Sequence, residues 1–504
     1  MPLECAVLGK DVAITDTTIP VISPYWRLKR NGHWTLLCRY DHERPRYCVL
    51  SPKAGAALAL MDGRLTVRHL TMIAQYAFNL ESQEQSQDFI TRIISEANRE
   101  GDAVVNMTPE LEAYVKRIDP FDFVVRASRW KEQQRLATPI SLSAMFSNDC
   151  QPNCAYCFAK GHCVPQGKLL STERWKDLLR EAKGLGIDQV TLSGGDPLLR
   201  KDALQLIEEM IDLEMLFTLS TKCHITEEIA DSLVVIGMTQ PVNQYIREIQ
   251  LSIDPDEPTA DKLADSPGYY NRAVRSIRNL LKRGFNLRVK SVVTALTAPY
   301  VYEWVEELQD MGVRQISIAA YNRSIKGSTD KMFLGTEGLS AILDQCRRAR
   351  IDFPEIDLLT NGLEQEERTP DRGDDNEAFQ PLPGEDQEIA DKVRHRREEG
   401  RSGAHSSMTI TPDGKVMLYD TVPRDEMLFV GDVSKNSIAE VWNSDALRNF
   451  AYPRSEQFKG AACYDCKDLA KCHSKAGYCF REAYFKSGTV FVPPAECPMI
   501  QAEA

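Results

Sequence analysis

Three cysteines, Cys150, Cys154 and Cys157, stand at C-x3-C-x2-C spacing between Ser147 and Phe158. They follow an apolar run, Pro139 to Phe146, that reads as a buried strand. Thiolates this close on a short loop can hold an iron–sulfur cluster. Three ligands instead of four leave one iron open to a substrate or cofactor, so the ligand count itself points to chemistry. A zinc site is the competing reading. Zinc favours paired C-x2-C units that supply four ligands, and His162 could complete the set.

The elements that must position this loop alternate between two periods. Strand-like runs cover Ile140–Phe146, Gln189–Ser193, Leu216–Ser220, Glu248–Ile253, Leu287–Thr294 and Gln315–Ala320. Amphipathic helical stretches lie between them: Thr172–Lys183, Lys201–Leu213, Glu227–Ile236, Tyr270–Arg283 and Val301–Met311. Six β/α units in series predict an α/β fold with a parallel sheet closed or partly closed by helices.

The cysteine trio, with aromatic Tyr156 just before its last member, resembles the signature of the radical S-adenosylmethionine (SAM) superfamily. Ser193-Gly194-Gly195-Asp196-Pro197 resembles that family's glycine-rich SAM-binding turn, or else is a plain tight βα turn. The resemblance implies a partial (β/α)6 barrel over residues 138–330, with its chemistry at the C-terminal ends of the strands. It also implies a [4Fe-4S] cluster whose open iron is chelated by SAM, and reductive cleavage of SAM to a 5′-deoxyadenosyl radical. Gly194 and Gly195 would let the backbone approach the methionyl group, and Asp196 would face its ammonium or shape the turn. Ser220, Ser252, Asp254, Lys290 and Ser291, at later strand ends, are candidates for ribose and carboxylate contacts, or strand caps. Cys223 could return a hydrogen atom to a carbon radical, as in peptide epimerases, or be a packed small residue. Tyr321, Asn322 and Arg323 would line a substrate channel.

The chain has 504 residues, 43% of them hydrophobic, enough for about three domains. With 61 basic and 73 acidic side chains its net charge is −12, which disfavours nucleic acid as the main partner. The N-terminus lacks a signal-peptide pattern, and no run approaches the ~20 apolar residues of a membrane span. The 14 cysteines fall in two main groups, pointing to metal ligation in a reducing cytoplasm.

Residues 20–110 read as a unit of their own. Trp34–Tyr40 and Tyr47–Leu50 form a hairpin. A helix follows, capped by Ser51 with Pro52 at its first position, and two more cover Thr66–Phe78 and Glu84–Arg99. This winged-helix-like order resembles the recognition element of ribosomally made, post-translationally modified peptide (RiPP) pathways, in which a leader peptide adds a strand to the hairpin edge. A structural domain with no peptide partner is the alternative. Residues 364–402 are charged and read as a linker or an insertion over the barrel mouth, their acidic cluster a solvated face.

Residues 403–504 open with a hairpin around Pro412-Asp413-Gly414. They continue with Cys463, Cys466, Cys472, Cys479 and Cys497, resembling the SPASM extension of radical SAM peptide maturases. The family carries two auxiliary iron–sulfur clusters there. Here Tyr419 stands where a cysteine is expected, and none lies near Arg401–Ala404, so one cluster is expected to be missing or altered. Cys463, Cys466, Cys472 and Cys497 would complete one four-thiolate site, with Cys479 as an orphan or alternative ligand. Zinc would suit the same set.

Together the resemblances imply a radical SAM oxidoreductase that abstracts a hydrogen from a core residue of a precursor peptide. The product would be a thioether or carbon–carbon cross-link, or an oxidised residue. A flavodoxin or ferredoxin would supply electrons. An epimerase, another SAM-dependent oxidase, and a non-catalytic peptide-binding scaffold are the rival readings.

Overall fold

The computed structural model describes residues 6–39, 46–124, 136–187, 189–242, 245–321, 330–361, 363, 381–385, 387, 403–418, 422, 424–467, 469, 480–493 and 497. The first strand, β1 (Pro20–Ile22), pairs antiparallel with β5 (Val104–Asn106). Between them lies an antiparallel meander of β2 (Trp26–Asn31), β3 (Trp34–Arg39) and β4 (Arg46–Leu50). β2 is not among the expected strands. Its signal was Asn31-Gly32, a strong turn dipeptide: Gly32 takes φ 61° at the first position of a two-residue hairpin turn.

Three helices follow: α1 (Pro52–Ala59), α2 (Val67–Ala77) and α3 (Gln83–Ala97). Ser51, Thr66 and Ser82 cap them, each accepting a backbone N–H with its hydroxyl.

β3 is buried on both faces, and its period of two divides its side chains between two cores. Leu37, with Cys48 and Leu50 of β4, packs with Leu58, Leu70, Phe89 and Ile93 of the helices. Trp34, Leu36 and Cys38, with Val49, pack instead with the core of the barrel. The N-terminal sheet is therefore a shared wall. Each fully buried side chain of Leu or Trp size contributes about 1.5–3 kcal/mol to holding it there.

The barrel alternates strand and helix, close to the expected bounds. In order it comprises β6 (Ser141–Ser147), α4 (Thr172–Gly184), β7 (Gln189–Gly194), α5 (Ala203–Asp212), β8 (Leu216–Thr221) and α6 (Glu227–Val235). A two-stranded ribbon, β9 (Pro241–Val242) and β10 (Tyr245–Ile246), precedes β11 (Glu248–Ser252). Then come α7 (Glu257–Ala264), α8 (Tyr269–Lys282), β12 (Asn286–Val293), α9 (Val301–Asp310), β13 (Gln315–Ala320), α10 (Thr336–Asp352) and β14 (Asp357–Asn361).

All the barrel strands pair in parallel, and the sheet stays open. Its order is β14-β13-β12-β11-β8-β7-β6-β15-β16-β17. β14 is a seventh barrel strand beyond the six expected. β15 (Ser407–Ile410), after the short α11 (Gly403–Ser406), joins β6 in parallel from the other side. β16 (Lys415–Met417) and β17 (Phe429–Asp432) extend the sheet antiparallel, with Gly414 at φ 87° in the turn. α12 (Ile438–Trp442), α13 (Asp445–Ala451) and α14 (Phe480–Ser487) complete the described C-terminal part. The Trp442 indole donates to the Leu136 carbonyl at 2.8 Å, tying that part to the barrel.

Along β12, Leu287, Val289 and Val293 enter the apolar core, while Arg288 faces the opposite side. There its guanidinium donates to Glu248 at 3.0 Å, Gln315 at 2.8 Å and Asp357 at 3.2 Å. These residues start their strands, so a charged network closes the N-terminal end of the barrel. It leaves the other end for chemistry.

Most of residues 364–402 lie outside the described residues. The described Pro381–Glu385 piece is not a free linker: Leu382 packs on the N-terminal core, Lys53 donates to the Gly384 carbonyl at 2.5 Å, and Ser51 donates to Glu385. Among the described residues no helix is long and apolar enough to cross a membrane.

Candidate active site at the carboxyl end of the barrel

The cysteine loop leaves β6 and is clamped from three directions. Gly195 N–H donates to the Ser147 carbonyl at 2.8 Å, and Asp196 N–H to the Asp149 carbonyl at 2.5 Å. On the far side Asn153 and Ala155 donate their N–H groups to Ala264 and Leu263, each at 2.8 Å, at the end of α7. The Gln151 side chain accepts from His224 N–H at 2.9 Å, beyond β8. Cys150 is exposed, Cys157 intermediate and Cys154 buried.

This clamping explains the glycine pair. A Cβ on Gly195 would lie 2.5 Å from the Asn148 carbonyl carbon and 2.8 Å from its oxygen. Gly194 sits at φ 110°, where a side chain is strained, and its Cβ would meet the Ser147 oxygen at 2.9 Å. The nearest obstacle at both positions is backbone at the root of the cysteine loop. The glycines therefore let one strand-end turn pass beneath another.

Asp196 lies between the ends of β7 and β8. Its carboxylate is buried and accepts from Thr221 Oγ1 at 2.7 and 2.9 Å. It also accepts backbone N–H groups from Leu198 at 3.1 Å, Lys222 at 2.7 Å and Cys223 at 2.8 Å. Both oxygens are engaged in tying the ends of β7 and β8 together. Burial pushes this carboxyl above the usual range, and the accepted hydrogen bonds oppose it.

A second buried group was not legible as a site. Lys222, just past β8, lies 3.1 Å from the Tyr156 hydroxyl and 3.5 Å from Asp254. Its ammonium stands over the rings of Tyr269, at 4.9 Å, and Tyr156, at 5.5 Å. Tyr156 also donates to Asp254, which accepts from Ser291 at 3.1 Å. Tyr156 and Asp254, expected at the cofactor, are thus bonded to each other and share the Lys222 ammonium. Burial disfavours the charged lysine, but the Asp254 carboxylate beside it outweighs this and holds its pKa above the usual range.

The remaining candidates are spread around the same end. Ser220 and Ser252 are half-buried, and the Ser252 carbonyl accepts from the Tyr269 hydroxyl. Lys290 is half-buried and two residues above Arg288, hence on the same face of β12. Cys223 is 3% exposed, its thiol directed at the His224 carbonyl at 3.7 Å; burial pushes it up to about 12, so it stays protonated. Tyr321, at the end of β13, stacks edge-on to Tyr156 with ring centroids 6.4 Å apart. Asn322 and Arg323 lie outside the described residues.

The cysteine trio suits a cluster by the chemistry of its donors. Burial pushes the Cys154 thiol up, while Lys222 favours its thiolate. Such thiols need cationic iron to stay deprotonated. In the C-terminal part Cys463 is buried, and Cys466 and Cys497 are intermediate; Cys472, Cys479 and Tyr419 lie outside the described residues.

Residues 145–311 match the radical SAM superfamily, and residues 402–467 match SPASM, an iron-sulfur cluster-binding domain. The first match implies a [4Fe-4S] cluster and SAM as cofactors, the second auxiliary iron–sulfur. A PqqA peptide cyclase of Granulibacter bethesdensis is 27% identical over 182 residues, 36% of this chain and 47% of the relative. A PqqA peptide cyclase of Methylocella silvestris is 23% identical over 362 residues, 70% of this chain and 86% of that one. The chain thus spans about half of the first relative and most of the second. In fold it is similar to Streptococcus suis SuiB bound to S-adenosylmethionine, with a TM-score of 0.64 at 15% identity, covering 95% of this chain and all of that one. SuiB bound to its precursor peptide SuiA gives 0.63 at the same identity and coverage.

Proposed function

We propose that this radical SAM enzyme modifies a ribosomally made precursor peptide, taking hydrogen from a core residue to form a thioether or carbon–carbon cross-link or an oxidised residue. The observation that carries the reading is the cysteine loop locked onto the glycine turn at the open end of the barrel. Peptide relatives and the N-terminal unit supply the substrate class. When bound, the cluster and SAM supply a carbon-centred radical that takes a hydrogen atom. The chain's own residues do the rest. Cys150, Cys154 and Cys157 would hold the cluster, Gly194 and Gly195 set the loop's approach, and Tyr156 and Asp254 line the cofactor side. Ser220, Ser252 and Lys290 would add polar contacts.

The N-terminal unit would act as a RiPP recognition element, binding the leader by strand addition to the edge of the meander. Its docking through β3 would bring that edge to the barrel. A flavodoxin- or ferredoxin-type donor would supply electrons in a reducing cytoplasm. The epimerase alternative ranks lower, because the Cys223 thiol is enclosed and directed at a carbonyl.

The test is anaerobic reconstitution with SAM and a strong reductant. We expect 5′-deoxyadenosine, and mass loss from a genuine precursor peptide. Absence of 5′-deoxyadenosine from a fully loaded protein would reject the enzyme reading; unchanged mass with solvent deuterium incorporated would favour epimerisation.

Cys463, Cys466, Cys472 and Cys497, with Cys479 as alternative ligand, would hold one auxiliary [4Fe-4S] cluster. A Cys463→Ala variant is expected to lose about four irons per chain, the content of one cubane. Zinc falling in place of iron would identify a structural zinc site instead.

A further inference from the structure

We propose that Lys222 is a positioning residue that sets the reduction potential of the cluster held by Cys150, Cys154 and Cys157, in opposition to Asp254. The proposal rests on the reading of that loop as the cluster site. Reduction adds an electron to the cluster, so a fixed cation nearby favours the reduced form and a fixed anion opposes it. Cluster potentials follow local charge, hydrogen bonding and exposure, and charges act strongly where water is scarce.

The geometry supplies these conditions. The Lys222 side chain is 14% exposed and that of Asp254 is 1%. The ammonium is 3.1 Å from the hydroxyl of Tyr156, the residue directly before Cys157. Tyr269 stands over the same ammonium and donates to the Ser252 carbonyl, so aromatic rings enclose the charge from α8 as well as from the loop. The Lys222 ammonium donates to the Tyr156 hydroxyl, and Ser291 donates to the second Asp254 oxygen, so neither charge can swing away without breaking a hydrogen bond. Lys222 also acts electrostatically on both Cys150 and Cys154. The ion pair stands against the residue that precedes Cys157, so its two charges would act unequally on a cluster held there.

The experiment is an anaerobic redox titration of the reconstituted protein, followed by electron paramagnetic resonance, with dithionite as reductant. Lys222→Met should move the midpoint to more negative potential. Asp254→Asn should move it to more positive potential, and the double variant should return towards the parent. Lys222→Arg, which keeps the charge, should stay near the parent value. Should the methionine variant fail to load iron, the Asp254→Asn and Lys222→Arg arms still decide the matter. An unmoved midpoint in loaded Lys222→Met or Asp254→Asn overturns the proposal, also when SAM binding weakens, since Lys222 would then be a cofactor contact. A parent chain that takes up no cluster at Cys150, Cys154 and Cys157 overturns the reading of the site itself.

Discussion

A Gly195→Val variant is expected to lose the barrel cluster while keeping its overall fold. The added Cβ would come within 2.5 Å of the Asn148 carbonyl carbon, and the obstacle is backbone that cannot rotate aside. Asn148 and Asp149 immediately precede Cys150, so relief of the clash moves the first ligand. Overpacking of this kind costs about 1–3 kcal/mol in stability, which a chain of this size can absorb. The cluster site cannot absorb the displacement, because Asn153 and Ala155 hold the other end of the loop on α7. Iron and sulfide should fall by about one cubane per chain, and 5′-deoxyadenosine formation should drop to background. A variant with full iron content and parental turnover would show that the loop tolerates the intrusion.

The second large effect is on stability. Asp196→Ala removes the acceptor of the Thr221 hydroxyl and of the Leu198, Lys222 and Cys223 N–H groups, all in one enclosed place. A buried donor left unpaired costs about 1–3 kcal/mol. Relaxation and an entering water offset part of the sum, so a loss of about 3–5 kcal/mol is expected, the range for breaking a buried charged network. Calorimetry should show the barrel's unfolding shifted down by about 10 °C, at roughly 2–4 °C per kcal/mol for a unit of this size. Asp196→Asn retains one acceptor oxygen and should fall between. If Asp196→Ala unfolds with the parent, the ends of β7 and β8 are held by packing alone. If instead it keeps its stability but loses SAM affinity, the carboxylate reaches the cofactor after all.

Much of this site could be read from local sequence, for a simple reason. The spacing of Cys150, Cys154 and Cys157 is covalent, and it survives any arrangement of the rest. The barrel strands betray themselves by apolar runs between amphipathic helices, since each strand packs its helix side regardless of its partners. Ser51, with Pro52 behind it, announces α1 because a helix cap is a contact within four residues. Elements with weak periodicity were missed: α7 buries only Ala260, Leu263 and Ala264, and α10 only Ile342, Cys346 and Ala349 over 17 residues.

What the tertiary structure alone decided are the contacts between residues far apart in the chain. No pattern in Ser220–His224 marks Lys222 as the partner of Tyr156, 66 residues earlier, and Asp254, 32 residues later. The glycines of the β7 turn look like cofactor-facing residues in one dimension; in three, their first neighbour is the backbone of the cysteine loop. Likewise β15 and β14 flank the six expected strands, and one face of β3 joins the barrel core, because open sheet edges and apolar faces take whatever partner the fold brings to them. Local spacing determines which chemistry the chain can hold. Long-range packing determines which charges stand beside it, because burial and Coulomb forces act through space and not along the chain.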